Sequence, residues 1–392
     1  MIGTIADPVR DGIAQGWRVV DASTLTEDRA FETDVVIVGT GAGGGTAAEI
    51  LAEAGLAVIL VEEGPLKSST DFRMRESDAY PELYQESAAR RTRDKAIAIL
   101  QGRCVGGGTT VNWTSSFRTP EATLSYWQRT LGLPGFGTAD LAPWFARMEA
   151  RLSIAPWTVA PNANNEALAR GAAKIGISSG TIRRNVKGCW NLGYCGMGCP
   201  TNAKQSMLVT TIPGALAHGA TLLTRTRASG FKWHGDRVEA LECFAMDARG
   251  TWPTPRRVTI RARAYVAAAG AIGTPALLLR SRVPDPHGVL GRRTFLHPTI
   301  VSAAIMPERV EGYAGAPQTI YSDHYLASLP LDGPMGFKLE APPIHPLLTA
   351  ITLPNHGIVH AKRMHAFPHL QVVLALLRDG FHAESPGGTV TL

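Results

Sequence analysis

The sequence predicts an α/β fold: a strand–helix–strand unit near the N-terminus, followed by antiparallel strands and helices. Three stretches predict it. Residues 33–64, TDVVIVGTGAGGGTAAEILAEAGLAVILVEEG, read as strand, glycine turn, helix, strand and terminal acid. Residues 102–112, GRCVGGGTTVN, form a second glycine loop. Residues 264–269 are a wholly apolar strand that runs through Gly270 into a helix at 274–281.

Within the first stretch, residues 35–38 are a β-branched apolar run. Gly39, Gly41 and Gly44 then follow as G-x-G-x-x-G, with Ala42 inside the pattern. The first glycine makes a tight turn, and the second lets backbone approach a pyrophosphate. The third lets the helix pack close to the sheet. The free N–H groups at the helix start favour phosphate charge. Residues 58–61 form the next strand, and Glu62 stands where a carboxylate accepts hydrogen bonds from a ribose diol. The glycine pattern alone is weak. Between a strand and a helix, with an acid at this distance, it predicts an adenine dinucleotide.

The remaining elements follow in order. Residues 1–32 read as an N-terminal arm in which Asp21 caps a short helix. Residues 71–103 are polar and expected to be helical, most clearly over 88–100. Residues 121–127 and 138–150 carry helical spacing. Leu141, Trp144, Phe145 and Met148 recur at i, i+3, i+4 and i+7, and Thr138-Ala-Asp140 offers an N-cap. Residues 164–174 form another helix, ended by Gly176. Residues 188–203 are a loop rich in cysteine and glycine, and 208–217 a helix. Residues 220–225, 238–245 and 257–262 read as antiparallel strands of a small meander. Strands are expected at 300–305 and 334–341. Apolar runs at 347–350 and 370–378 flank a histidine-rich region, and 387–392 reads as the start of a strand.

Bulk properties exclude several classes. A chain of 392 residues is long for one core, so two domains are expected. The net charge of +6 comes from dispersed arginines, with clusters no longer than Arg90-Arg91-Thr92-Arg93 and Arg256-Arg257. That describes a solvated basic surface and not a nucleic-acid partner. The first twenty residues have no apolar core, so no secretory signal is expected. No apolar run of about 18 residues exists to span a membrane, which leaves only peripheral association. Five cysteines, an odd number, fit a reducing, cytoplasmic compartment better than a disulfide framework.

Two glycine loops on one chain are more discriminating than one. Gly102-Arg-Cys-Val-Gly-Gly-Gly-Thr-Thr-Val-Asn112-Trp resembles the first signature of the glucose–methanol–choline (GMC) oxidoreductase family. Val266-Ala-Ala-Ala-Gly270-Ala-Ile-Gly-Thr274-Pro275-Ala-Leu-Leu-Leu resembles its second, and Glu62-Glu63-Gly64 resembles the acid-x-Gly end of its second strand. Within the family, residues 188–206, GCWNLGYCGMGCPTNAKQS, and Gly291-Arg-Arg-Thr-Phe-Leu-His297-Pro most resemble long-chain alcohol oxidases and related bacterial dehydrogenases.

The resemblance implies a Rossmann-like FAD-binding domain and an α+β substrate domain built on an antiparallel sheet. The expected boundaries are 33–155 with 205–300 for the FAD domain, carrying the cysteine-rich loop 188–203, and 156–187 with 301–392 for the substrate domain. It also implies hydride transfer from an alcohol carbon to flavin N5, with electrons passing on to oxygen or another acceptor. A glycine run lets backbone approach a flat ring without Cβ clashes. N–H groups at Gly106, Gly107, Gly108 and Thr109 would stabilise negative charge at the ring edge. Asn112 donates and accepts there, with Trp113 beside it, and Arg103 pairs with the pyrophosphate. Ala228 and Gly270 complete the expected cofactor contacts. The competing reading of residues 102–112 is a surface turn, for which the Gly106–Gly108 run is more than the geometry needs.

Cys189, Cys195 and Cys199 are three, irregularly spaced, where zinc or iron–sulfur ligation takes four and usually a C-x2-C pair. No metal is expected; a loop packed under the flavin or over the substrate entrance is. Cys104 reads as a small buried hydrophobe. Covalent flavin attachment in the family uses a histidine near the second loop. None stands there, so FAD is expected to be non-covalent.

Histidines 287, 297, 324, 345, 356, 360, 365, 369 and 382 crowd the last third. The family's catalytic base is a C-terminal histidine, which takes the hydroxyl proton as hydride leaves. Residues 300–392 hold no copy of its segment; Asn355-His356-Gly357 lacks the unit that should follow. The catalytic residue is therefore unassigned, and the chain is expected to be a truncated form of a longer enzyme. His297-Pro298 reads as structural, with a place in the substrate pocket as the alternative. The leading expectation is an FAD-dependent oxidoreductase of a hydrophobic or long-chain alcohol. This rests on the cysteine-loop resemblance and on the apolar composition of residues 320–375. A non-catalytic flavin-binding remnant, or a sterol, sugar or choline oxidoreductase of the family, are the alternatives. A nicotinamide dehydrogenase has no need of the second loop or of the 266–279 signature.

Overall fold

A computed structural model describes residues 5–382 and 384–392. They fall into two compact units. Unit one holds the described residues up to Asn112, with Gly196–Thr294 and Gly387–Leu392. Unit two holds Trp113–Cys195 and the described residues of Phe295–Pro386.

Unit one is built on seven strands: β1 (Arg18–Asp21), β2 (Arg29–Val38), β3 (Val58–Val61), β4 (Thr221–Thr224), β5 (Thr226–His234), β6 (Arg237–Met246) and β7 (Pro253–Ala267). Their order in the sheet is β1-β4-β3-β2-β7-β6-β5. From β1 to β7 all neighbours run parallel, with Val35 opposite Val58 and Val38 opposite both Val61 and Ala267. β7, β6 and β5 pair antiparallel. The β-branched runs alternate between two buried faces, as expected of parallel strands. Val36, Val38, Ile59, Val61, Leu223, Leu241 and Ile260 form one core with Leu277 of the helix Gly270–Arg280. Ile37 faces the other way, toward Gly44 of the helix Ala42–Glu53, which packs on the helix Thr211–Ala217.

Several elements differ from expectation. The N-terminal arm joins the sheet: β1 pairs with β4, and Asp21 caps the 3-10 turn Ala22–Thr24 through Ser23 N. β4 is parallel to its neighbours and no part of a meander. β5 had no signal, because its T-R-A-S-G-F-K-W-H sequence mixes polar and small residues. Residues 88–100 are not helical. Arg91 bridges Ala98 across a turn in which Asp94 accepts from Thr92 Oγ1 (2.6 Å) and Ala96 N (3.1 Å). Asp94 turn chemistry overrides the alanine spacing. Gly388 makes an isolated bridge to Thr294 where a strand start was expected.

Unit two carries a five-stranded sheet in the order Thr299–Ile305, Leu370–Leu377, Phe337–Glu340, Ile320–Ser322, Gly180–Thr181, antiparallel throughout. The helix Ala163–Lys174 places Leu168 on Ile320 and Ala341. Its buried Asn165 accepts from Thr319 N and Ile320 N, and Asn164 accepts from Val372 N. Residues 113–155, expected in the FAD domain, cluster in this unit. They include the helices Glu121–Arg129 and Thr138–Arg151; in the latter Gly137 is the N-cap and Asp140 accepts from its N–H. Arg184 is fully buried here. Its Nε donates to Thr114 Oγ1 (2.8 Å), Nη2 to the Trp113 carbonyl (3.0 Å) and Nη1 to the Pro317 carbonyl.

Candidate functional site

The first glycine loop leaves the carboxyl end of β2 and enters the helix Ala42–Glu53 at N-cap Gly41. A Cβ on Gly44 would overlap the carbonyl oxygen of Gly39, so the helix can close on the strand only with glycine there. The neighbouring crossover closes from the side: Ala268 N donates to the Val38 carbonyl (2.8 Å), and Gly270 follows with φ of +78°.

The second glycine loop meets the first. A Cβ on Gly107 would stand 2.9 Å from Cα of Gly41, and Gly106 N donates to Thr40 Oγ1 (3.0 Å). Gly64, just after β3, packs against the backbone of Arg103 and Cys104, where a Cβ would overlap the Arg103 carbonyl. Within the loop, Thr109 Oγ1 donates to the Gly106 carbonyl (2.6 Å) and Thr110 Oγ1 to the Val105 carbonyl (2.8 Å). Both expected loops and the 266–270 crossover therefore converge at the carboxyl ends of β2, β3 and β7, where ligands sit in open α/β sheets.

Glu62 is buried and ties these parts together. Its Oε2 accepts from Thr40 Oγ1 (2.5 Å) and Thr40 N (3.2 Å), and its Oε1 from Gly64 N (2.9 Å). Burial pushes its carboxyl above the usual range, against the pull of the Thr40 and Gly64 hydrogen bonds. A carboxylate has about four lone-pair positions, so one remains for a further donor.

Other expected residues are placed differently. Arg103 does not turn to the first loop: its Nη1 donates to the Gly250 carbonyl, and the guanidinium caps the turn between β6 and β7. Asn112 is exposed and ends the first stretch of unit one, whereas Trp113 begins unit two. Ala228 lies in β5 opposite Cys243, two residues beyond Thr226, whose N–H donates to the Glu62 carbonyl (2.8 Å). Cys104 is buried inside the second loop, where burial and the neighbouring Glu62 push its thiol well up. Cys199 belongs to unit one and Cys189 and Cys195 to unit two. Among the described residues no group of histidine, cysteine and carboxylate side chains is arranged to hold a metal. No described helix is long and apolar enough to cross a membrane. His297, in unit two, is held below its usual pKa by burial and by Lys338.

Two residues of the site carried no advance signal. Thr40, the unspecified residue of the first G-x-G, is the bridge between Glu62 and Gly106. Lys204 is buried in the loop after Cys199 and donates to the main-chain carbonyls of Thr110 (2.6 Å) and Asn112 (2.8 Å). Neither has a periodicity or spacing that marks it.

The family model described as GMC oxidoreductase matches residues 80–299, more than half of the chain. The chain belongs to the GMC oxidoreductase family. A second model, FAD binding domain, matches residues 34–76, the segment of the first loop. Among curated relatives, the chain is 28% identical over 382 residues to the long-chain-alcohol oxidase FAO1 of Arabidopsis thaliana, covering 93% of this chain and 50% of that protein. It is 31% identical over 294 residues to the GMC-type oxidoreductase y4nJ of Sinorhizobium fredii, covering 74% and 56%. The chain spans about half the length of the curated relatives it matches. Among solved structures, an Aspergillus oryzae formate oxidase superposes with a TM-score of 0.61 at 15% identity, over 94% of this chain and 75% of that one. Pyridoxine 4-oxidase from Mesorbium loti gives 0.58 at 18%, over 88% and 71%. At these identities the likeness is one of fold.

FAD is the cofactor of this GMC chain, and the geometry fits it. Gly41 has an ordinary φ of −68°, and Gly108 takes no positive φ. At either one, an added Cβ would find no protein atom within 4 Å. Among the described residues, nothing requires glycine at these two points, which lie on the adjoining loops. Backbone laid bare at both is a cradle that a Cβ would fill.

Proposed function

We propose that unit one holds FAD without a covalent bond and that the chain belongs to an enzyme oxidising an alcohol at its CH–OH carbon to a carbonyl, with hydride passing to the flavin and the hydroxyl proton to a base that is not assigned among the described residues. The bare backbone at Gly41 and Gly108, on loops joined through Gly107 and Thr40, carries this reading. Bound flavin supplies the hydride acceptor. In this assignment Gly39, Gly41, Ala42 and Gly44 admit the pyrophosphate to the loop, and the remaining lone pair of Glu62 takes a ribose hydroxyl. Gly108 offers its N–H to the ring, while the N–H groups of Gly106, Gly107 and Thr109 are held by Thr40 Oγ1, the Cys104 carbonyl and the Gly106 carbonyl and leave those residues to border it, with Asn112 and Trp113 at its edge. Ala228 and Gly270 border the cofactor.

Residues 102–112 hold no histidine, which supports non-covalent binding. The similarity to long-chain-alcohol oxidases supports a hydrophobic primary alcohol as substrate and oxygen or another acceptor for the electrons. The odd number of cysteines supports a reducing compartment, the cytoplasm. The test is spectroscopic. Purified protein is expected to carry flavin absorbance that acid precipitation releases into the supernatant, and that bleaches on anaerobic addition of a fatty alcohol. Absorbance that no alcohol bleaches favours the non-catalytic flavin-binding remnant over a working enzyme. A colourless protein that gains no absorbance with added FAD removes the whole reading.

A further inference from the structure

The Gly106–Gly108 run of the second glycine loop carries no side chains, and the helix it enters, Gly108–Val111, is a single turn. Such a turn leaves carbonyls without partners at its end. Lys204, only 3% exposed, meets two of them, with Nζ 2.6 Å from the Thr110 oxygen and 2.8 Å from the Asn112 oxygen. The same segment braces the loop once more: Met207 N donates to Thr109 Oγ1 (3.0 Å). An ammonium is costly to bury, and here it is spent on main-chain oxygens.

We propose that Lys204 is a positioning residue of the flavin site: it fixes the second glycine loop by its Thr110 and Asn112 carbonyls and places its ammonium on the inner side of that loop. This rests on the reading that the loop faces the flavin ring. Reduction adds negative charge to that ring, so an ammonium behind the loop raises the flavin's reduction potential as well as its affinity.

Three variants separate the roles. Lys204→Arg keeps charge and donors, Lys204→Gln keeps donors without charge, and Lys204→Met keeps neither. Two measurements apply: FAD dissociation constant with midpoint potential on the reconstituted protein, and hydrogen exchange of residues 106–112 in the FAD-free chain. Lys204→Met is expected to weaken FAD at least tenfold and to speed exchange across the loop. Lys204→Gln is expected to shift the potential to more negative values, and Lys204→Arg to restore it. A Lys204→Gln protein with wild-type affinity, potential and exchange overturns the proposal, even where Lys204→Met fails to fold. If wild-type protein binds no FAD, the functional reading fails. Exchange in the FAD-free chain then still decides whether Lys204 fixes the loop.

Discussion

At Gly44 of the first glycine loop the demand for glycine is local: a side chain there must clear the carbonyl of Gly39, five positions back on the same turn. At Gly107 of the second loop the demand is remote, because a side chain there must clear Cα of Gly41. A local demand leaves a spacing pattern in sequence, which is why G-x-G-x-x-G is a motif at all. A remote demand leaves only the residue type. The difference predicts which substitutions damage folding and which damage cofactor binding.

The largest effect belongs to Gly44→Ala. Its Cβ meets backbone that cannot rotate away, so unit one is expected to lose about 3 kcal/mol or more of stability. Gly43→Ala, one residue earlier with open space around it, should change stability by no more than about 1 kcal/mol and in the stabilising direction. Urea unfolding of both variants checks this, and equal losses would break the local explanation. Next comes Gly107→Ala. Its φ of +54° costs alanine about 1–2 kcal/mol, and the contact at 2.9 Å adds to that. Here FAD affinity is expected to fall more than stability does, because the two loops are pushed apart. A loss of stability with unchanged affinity would sink the idea that their junction serves the cofactor.

Gly108→Ala sharpens the contrast. It is expected to change apo-protein stability by less than about 0.5 kcal/mol. Its loss of FAD affinity should be about tenfold, or about 1.4 kcal/mol. Fluorescence titration with FAD measures it, and undiminished affinity would remove Gly108 from the cradle. The smallest effect is the pH dependence from Glu62. Burial raises its carboxyl above the unfolded value of 4.5, so the folded chain holds that proton more tightly. Its contribution to stability is full below the unfolded pKa and is lost as pH rises through the folded one. Glu62→Gln should therefore gain on wild type as pH rises from 4 to 8 in the FAD-free chain. Parallel stability curves would show that Glu62 stays ionised.

Much of unit one was legible because its signals are local. The apolar runs of β2 and β3, the glycine turn between them and the Ala264–Ala267 end of β7 can each be read without knowing a distant partner. What was missed depends on contacts far along the chain. β1 is four residues that become a strand only beside β4, and β5 is an edge strand of mixed polarity held by β6. Arg103 was read from its neighbours in the motif, yet its guanidinium is fixed by Gly250. Lys204 looked like one more polar residue after a cysteine loop. In unit two, helices 121–129 and 138–151 showed their spacing, but which unit they join depends on packing that spacing does not encode.

The insertion of β4 between β1 and β3 has a consequence for how the chain is made. β3 ends at Val61 and its neighbour begins at Thr221, so 221 − 61 = 160 residues must leave the ribosome before that gap in the sheet can fill. At about 5–20 residues per second the nascent chain waits on the order of 10 s with one edge of β3 bare. During that interval the apolar edge is open to chaperones or to neighbouring chains.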